Sequence, residues 1–383
     1  VPRPEEELIE TLKSQGVDFT ASLPCEKFKT LLAMLPASFP HLPLTREEEG
    51  VGICAGAALA GKRPALFVQS SGVGNMINAL LSLTQFYELP LAVFVSRRGV
   101  YQEKIAAQHP MGQRLPEILT GAGIGWTEVN DGEDLGNVNV RLASLYPEGR
   151  VHAFLLSPKV WEGSECKEMS PELEVRSAEC GILFAKRQEA MKPALTRYEI
   201  VKVISPYLDR KVVVSNLGWP SKELYELKHQ PSNFYMLGSM GMATPIGLGI
   251  ALSTARDVVV IDGDGSILMN PGTLATAASC RPTNLSIVAI DNGAYGSTGN
   301  QPTLAGSCVD LEMVARGFGF RNTVKVATGE GIVEAVGRPR EGLTFIHALA
   351  VPGNKDVPNI PVHHLEIKKQ VMGFLRKQLP DRG

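Results

Sequence analysis

From Glu5 onward, short runs of β-branched and aliphatic residues alternate with longer stretches of helical periodicity. This is the pattern of a parallel sheet covered by helices. In the first half, Pro4 opens a predicted helix over 4–13, residues 17–21 read as a strand and 27–35 as the next helix. Further strands are predicted at 65–69, 91–95 and 153–156. Between Cys166 and Pro193 the strand signal gives way to charges, Ser-Pro and isolated hydrophobes, as in a connector crossing a surface. The rhythm then restarts with a helix at 196–205, strands at 212–215, 258–262, 285–291 and 344–348, a helix at 244–253 and a closing amphipathic helix at 364–377. The expectation is an α/β protein with two doubly wound parallel-sheet domains, 1–165 and 194–383, joined by a linker at 166–193.

Composition narrows the function classes. Lys and Arg number 38 against 40 Asp and Glu, a formal charge of −2, which gives no basic footprint for nucleic acid or an anionic membrane. The most apolar segments fall well short of the roughly 20 residues a spanning helix needs. Cys25, Cys54, Cys166, Cys180, Cys280 and Cys308 are scattered without a Cys-x-x-Cys pair, which fits a reducing cytoplasm. The opening Val-Pro-Arg-Pro-Glu-Glu-Glu has no apolar export core.

The strongest local chemistry is the strand 258–261 running into Asp262-Gly263-Asp264-Gly265-Ser266 and then a helix. A glycine-rich turn feeding a helix start exposes backbone N–H groups to a diphosphate. A carboxylate at Asp264 beside that anion requires a cation between them, and Mg²⁺ wants about six oxygen ligands. Asn292 can supply one. It lies in Asp291-Asn292-Gly293-Ala294-Tyr295-Gly296 with 26 residues between it and Gly265. If the strands before the two loops are adjacent, the loops meet at the carboxyl edge of the sheet. Either piece alone is equally well a tight turn.

Together, Gly263 to Asn292 resemble the cofactor-binding motif of thiamine-diphosphate enzymes. The resemblance implies that Gly263, Gly265 and Ser266 seat the diphosphate and that Asp264, Asn292 and the Ala294 carbonyl hold Mg²⁺. It also implies a partner domain with a glutamate that hydrogen-bonds N1′ of the aminopyrimidine. That family places the glutamate nine residues before a small-residue helix glycine, and counting back from Gly56 through Thr45-Arg46-Glu47-Glu48-Glu49 selects Glu47. Three adjacent glutamates otherwise read as a solvated helix start. Gly238-Ser239-Met240-Gly241 is similar to the family segment that bends the cofactor, with Met240 as the apolar prop and the Gly238 carbonyl as acceptor for the 4′-amino group. Four segments thus agree in order over nearly the whole chain, without the middle domain of the larger members.

Among compact members, Gln69-Ser70-Ser71-Gly72-Val73-Gly74-Asn75-Met76-Ile77-Asn78 and Gln108-His109-Pro110-Met111-Gly112 resemble segments of the phosphonopyruvate and sulfopyruvate decarboxylases. Ser215-Asn216-Leu217-Gly218-Trp219-Pro220-Ser221-Lys222 and Gly241-Met242-Ala243-Thr244-Pro245 lean to the sulfopyruvate branch, which implies coenzyme M biosynthesis in an archaeon. The implied substrate is a small anionic 2-keto acid. His109 is the candidate acid or base beside it. Glu26, Arg97 and Arg98, with Lys104 and Arg114 nearby, are the candidate substrate contacts. The family architecture further implies a homodimer or dimer of dimers with active sites at the subunit interface. Two other readings stand beside this one. A non-catalytic nucleotide-binding α/β module would have no use for Glu47, and a Rossmann oxidoreductase would need a Gly-x-Gly-x-x-Gly turn after the first strand.

Overall fold

The structure, a computed structural model, describes residues 3–162, 191–297, 300–337 and 342–377. Six strands, β1 (Phe19–Ser22), β2 (His41–Pro43), β3 (Pro64–Gln69), β4 (Leu91–Ser96), β5 (Gly125–Val129) and β6 (Val151–Leu156), form a parallel sheet in the order β2-β1-β3-β4-β6-β5. The second half repeats the plan with β7 (Val212–Ser215), β8 (Asn233–Tyr235), β9 (Val258–Gly263) and β10 (Leu285–Asp291). A small hairpin of β11 (Ala294–Tyr295) and β12 (Gln301–Pro302) follows, then β13 (Asn322–Val326) and β14 (Thr344–Leu349). The second parallel sheet runs β13-β14-β10-β9-β7-β8. Counted within each sheet, the two orders are identical. Each reverses direction between its first and third strands, the place where open α/β sheets leave a crevice for ligands.

The interior strands have sequences that suit burial on both faces. β4 reads Leu-Ala-Val-Phe-Val-Ser and β9 begins Val-Val-Val-Ile, and both are buried almost throughout. On one face of the first sheet, Phe67, Phe94 and Phe154 stack in a row at 4.9 and 4.8 Å within a core of that domain alone. The core on its other face continues without a break into the second domain.

Two helices make that continuity. Glu47–Leu59 and Ala243–Ser253 carry no polar face, and all but the last two residues of the second are buried. A helix apolar all round belongs between layers. The pair cross at glycines: a Cβ on Gly56 would lie 2.1 Å from the Ile246 carbonyl oxygen, and one on Gly249 would lie 2.0 Å from that of Ile53. Backbone therefore meets backbone, which a larger residue would prevent. Gly52 faces Met242 and Pro245, while Gly56 faces Ile246 and Ile250, so the contacts advance together and the helices run in the same sense. Their amino termini lie at one end of the junction.

Of the expected linker 166–193, residues 166–190 lie outside the described residues, as do Cys166 and Cys180. Cys25, Cys54, Cys280 and Cys308 are free thiols. No helix among the described residues is long and apolar enough to cross a membrane.

Candidate active site

Ile290 of β10 pairs with Gly263 of β9, so the loops holding Asp264 and Asn292 leave the sheet side by side. Asp264 starts a short helix, Asp264–Met269, and is 3% exposed. Its carboxylate accepts from the Thr303 hydroxyl, which the β11–β12 hairpin brings back over the loop, with Thr303 N–H on the Gly293 carbonyl at 2.9 Å. Burial pushes the Asp264 carboxyl up to about 6, and the nearby Asp291 carboxylate adds to the rise while Thr303 opposes it. Asn292 accepts from Ala294 N–H at 3.2 Å, and its own side-chain NH₂ is buried without a partner. The Ala294 carbonyl accepts from Gly296 N–H at 3.1 Å and keeps a second lone pair.

These residues fit a cation-bridged diphosphate. The buried carboxyl lacks a counter-charge, and the orphaned amide lacks an acceptor that a phosphate oxygen would provide. Among the described residues no three His, Cys, Asp or Glu side chains cluster as a metal site. A cation here would need oxygens from outside the protein, and a diphosphate carries them. Gly265 lets the Tyr295 ring close on the loop, since a Cβ there would strike that ring at 2.3 Å. Ser266 is committed differently, its hydroxyl accepting from Gly241 N–H at 3.1 Å.

The three glutamates at the other end have three different surroundings. Glu49 accepts from Thr45 N–H at 2.5 Å, Thr45 hydroxyl at 2.7 Å and Thr276 hydroxyl at 3.0 Å, closing its own helix start and tying it to the second domain. Glu48 meets Asn270 at 3.4 Å and Arg46 at 3.6 Å. Glu47 is 5% exposed and accepts from the Asn75 amide at 3.0 Å, with Gly72 leaving space for its carboxylate. Gly72 and Asn75 belong to the helix Ser70–Ala79. Glu47 thus stands at the same end of the junction as the 238–242 segment, where Met240 is half-buried between Ser239 at φ +59° and Gly241 at φ +90°. Gly238 faces Ser82, whose carbonyl oxygen would lie 3.2 Å from a Cβ there.

The substrate-side candidates divide. His109 begins the helix His109–Gly121, with its Nδ1 on the Gly99 carbonyl at 3.0 Å. Met111 of that helix approaches Gly74, beside the residues that hold Glu47. Arg97 is taken up by Glu128 at 2.5 Å and the Gly112 carbonyl at 3.1 Å. Arg98 forms a buried two-point pair with Glu103 at 2.5 and 2.9 Å, which holds the Glu103 carboxyl down to about 2. Glu26, Arg98 and Lys104 line a cavity of about 570 Å³, and Glu26 there pairs with Lys27. Arg114 is exposed.

Several supporting residues carry no signal in the sequence. Asn75 lies in the 69–78 segment, where the sequence gives it no role of its own. Nothing in the sequence points to Thr303, which reaches Asp264 only through the hairpin. Asp262 is structural: its buried carboxylate, raised by burial, accepts from Thr244 hydroxyl at 2.7 Å and Gly263 N–H at 2.9 Å, tying the loop to the junction helix. Asp291 accepts from Gly293 N–H at 3.0 Å and pairs with His347 at 2.8 Å, which shapes the Asn292 loop.

Two α/β domains of one topology, with a buried glutamate at the junction and a Gly-Asp-Gly…Asn pair at the second sheet's edge, define a class. The N-terminal TPP binding domain of the thiamine pyrophosphate enzymes matches residues 4–117 and the C-terminal TPP binding domain matches 218–348. The chain belongs to the thiamine pyrophosphate enzymes. It is 44% identical over 379 residues to the sulfopyruvate decarboxylase of Methanosarcina acetivorans, covering 97% of each chain. It is 34% identical to the phosphonopyruvate decarboxylase of Streptomyces viridochromogenes, covering 96% of this chain and 94% of that one. The sulfopyruvate decarboxylase beta subunit of Methanococcus maripaludis is 44% identical over 185 residues, 48% of this chain and 99% of the subunit. In fold, the chain superposes on the benzoylformate decarboxylase of Polynucleobacter necessarius with a TM-score of 0.70 at 14% identity, over 93% of this chain and all of that one.

Proposed function

We propose that this chain decarboxylates 3-sulfopyruvate to sulfoacetaldehyde and CO₂, with thiamine pyrophosphate and Mg²⁺, in coenzyme M biosynthesis. The observation that carries the reading is the 44% identity to a sulfopyruvate decarboxylase across 97% of both chains. When bound, thiamine pyrophosphate supplies an acidic C2 carbon and an acceptor for the electron pair released with CO₂. The chain's own residues do the rest. Asp264, Asn292 and the Ala294 carbonyl hold the cation that carries the diphosphate. Glu47 holds a proton against the aminopyrimidine N1′ in a site that excludes water, where that hydrogen bond is strengthened. Met240 supports the bent cofactor. With its Nδ1–H on the Gly99 carbonyl, His109 leaves Nε2 free towards the substrate side, where the imidazolium form would give up its Nε2 proton and return to the neutral ring.

Assayed with saturating cofactor and magnesium, 3-sulfopyruvate should be consumed with kcat/KM at least about tenfold above phosphonopyruvate and pyruvate. A preference for phosphonopyruvate would transfer the chain to that branch. No release of CO₂ from any of the three would remove the decarboxylase assignment.

We infer that the active unit is a homodimer or dimer of dimers with active sites at the subunit interface. Support comes from the relatives that carry this chemistry on separate subunits, since the two halves need not share a backbone. Mixing Glu47→Gln chains with Asp264→Ala chains should then restore activity to some sites. If the mixed chains exchange subunits and stay as inactive as their parents, each site is completed within one chain.

A further inference from the structure

We propose that Tyr87 and Ser82 are positioning residues that clamp the Met240 loop to the first domain, so that one helix of that domain sets both ends of the aminopyrimidine site. The inference rests on Met240 as the residue that supports the bent cofactor. Met240 stands between Ser239 at φ +59° and Gly241 at φ +90°. A non-glycine residue in the left-handed region persists where its surroundings over-determine it. The second domain supplies some of the restraints: the Gly241 N–H on Ser266, the Asn270 amide on the Gly241 carbonyl at 3.5 Å and the Met242 N–H on the Ser239 carbonyl at 3.2 Å.

The first domain supplies the others. Leu237 N–H donates to the Tyr87 hydroxyl at 3.2 Å, and that hydroxyl donates to the Tyr235 carbonyl at 2.9 Å, so one phenol spans the strand end and the loop start. The Tyr87 ring is 1% exposed and packs on Phe234 at 4.9 Å. The Ser82 hydroxyl donates to the Asn78 carbonyl at 2.7 Å, which leaves it an acceptor for the Ser239 hydroxyl 2.5 Å away.

Both clamps come from the continuation of the helix that holds Glu47. Asn75 of Ser70–Ala79 donates to Glu47, and the chain runs straight on into a π-helical turn, Leu80–Gln85, that carries Ser82 and leads to Tyr87. The widened turn is seen in Phe86 N–H on the Leu81 carbonyl at 3.2 Å, five residues back. Such turns are rare and concentrate at functional sites. Here the turn lies where Ser82 abuts Gly238 and Ser239. Glu47 and Met240 are thereby referred to one rigid element, although they belong to different domains.

The test compares Tyr87→Phe, Ser82→Ala and their combination with Met240→Ala and the parent protein. Phenylalanine keeps the ring packing and removes only the hydroxyl, and Ser82→Ala serves as an independent variant should Tyr87→Phe fold poorly. Three quantities are read: amide hydrogen exchange across residues 236–242 without cofactor, exchange of the C2 proton of bound thiamine pyrophosphate, and the affinity for thiamine pyrophosphate with magnesium. In the combined variant the loop amides should exchange at least about tenfold faster and the C2 proton about tenfold slower, with affinity kept within about threefold. Unchanged loop exchange and unchanged C2 exchange, while Met240→Ala slows C2 exchange, would overturn the clamp and leave Met240 in place. If Met240→Ala leaves C2 exchange unchanged, the Met240 reading fails, and the loop amides alone then decide whether Tyr87 and Ser82 hold the loop.

Discussion

Asp264→Ala and Asn292→Ala should each weaken magnesium-dependent retention of thiamine pyrophosphate by at least about 100-fold, while the fold survives. The two side chains follow adjacent strands and are both buried, and the Asp264 carboxylate and the Asn292 amide oxygen would be protein ligands of the cation. Removing either would leave the cation that carries the diphosphate with too few protein ligands. The cost to the fold is small because Asp264 spends its burial as a desolvated carboxyl pushed up to about 6. Its loss leaves the Thr303 hydroxyl without its acceptor, a penalty of about 1 to 3 kcal/mol. Calorimetric titration with cofactor at fixed magnesium reads the effect, and thermal unfolding of the cofactor-free variants checks the fold. Full affinity in both variants would mean that the cation is held elsewhere.

Glu47→Gln should keep cofactor affinity and slow turnover by about 100- to 10,000-fold. The amide still accepts from Asn75 and still fits beside Gly72, so packing is preserved. It cannot exchange a proton with N1′. Glu49 offers the contrast: its carboxylate closes the helix start with Thr45 and reaches Thr276 across the junction. Glu49→Gln should therefore lower the unfolding temperature more than the turnover number. Steady-state rates beside melting curves separate the two roles.

The eight interior strands of the two parallel sheets were all legible in the sequence, because burial on both faces demands unbroken apolar runs such as Val258 to Ile261. The four that were not, β2, β5, β8 and β13, are the four sheet edges. Two of them, Gly-Trp-Thr-Glu-Val and Asn-Thr-Val-Lys-Val, are mostly half-exposed and mixed in polarity, and the other two are only three residues long. That the loops around Asp264 and Asn292 adjoin was legible, because each motif is consecutive and ends a strand. The site was not legible where support arrives from a distance, as with Thr303 on Asp264, Asn75 on Glu47 and His347 on Asp291. Nor does the sequence disclose that Arg97 and Arg98, the candidate contacts for an anionic substrate, each have a carboxylate partner, Glu128 and Glu103.

We propose that Glu47, and neither neighbouring glutamate, acts on the aminopyrimidine of a cofactor whose diphosphate the Asp264 loop would hold. Exchange of the C2 proton of bound thiamine pyrophosphate, followed by quenched-flow NMR in deuterated buffer, tests it most directly, because it reports the proton transfer before any substrate is present. Exchange should be rapid in the parent protein and in Glu48→Gln, and slower by at least about 100-fold in Glu47→Gln. Unchanged exchange in Glu47→Gln, or an equal loss in Glu48→Gln, would contradict it.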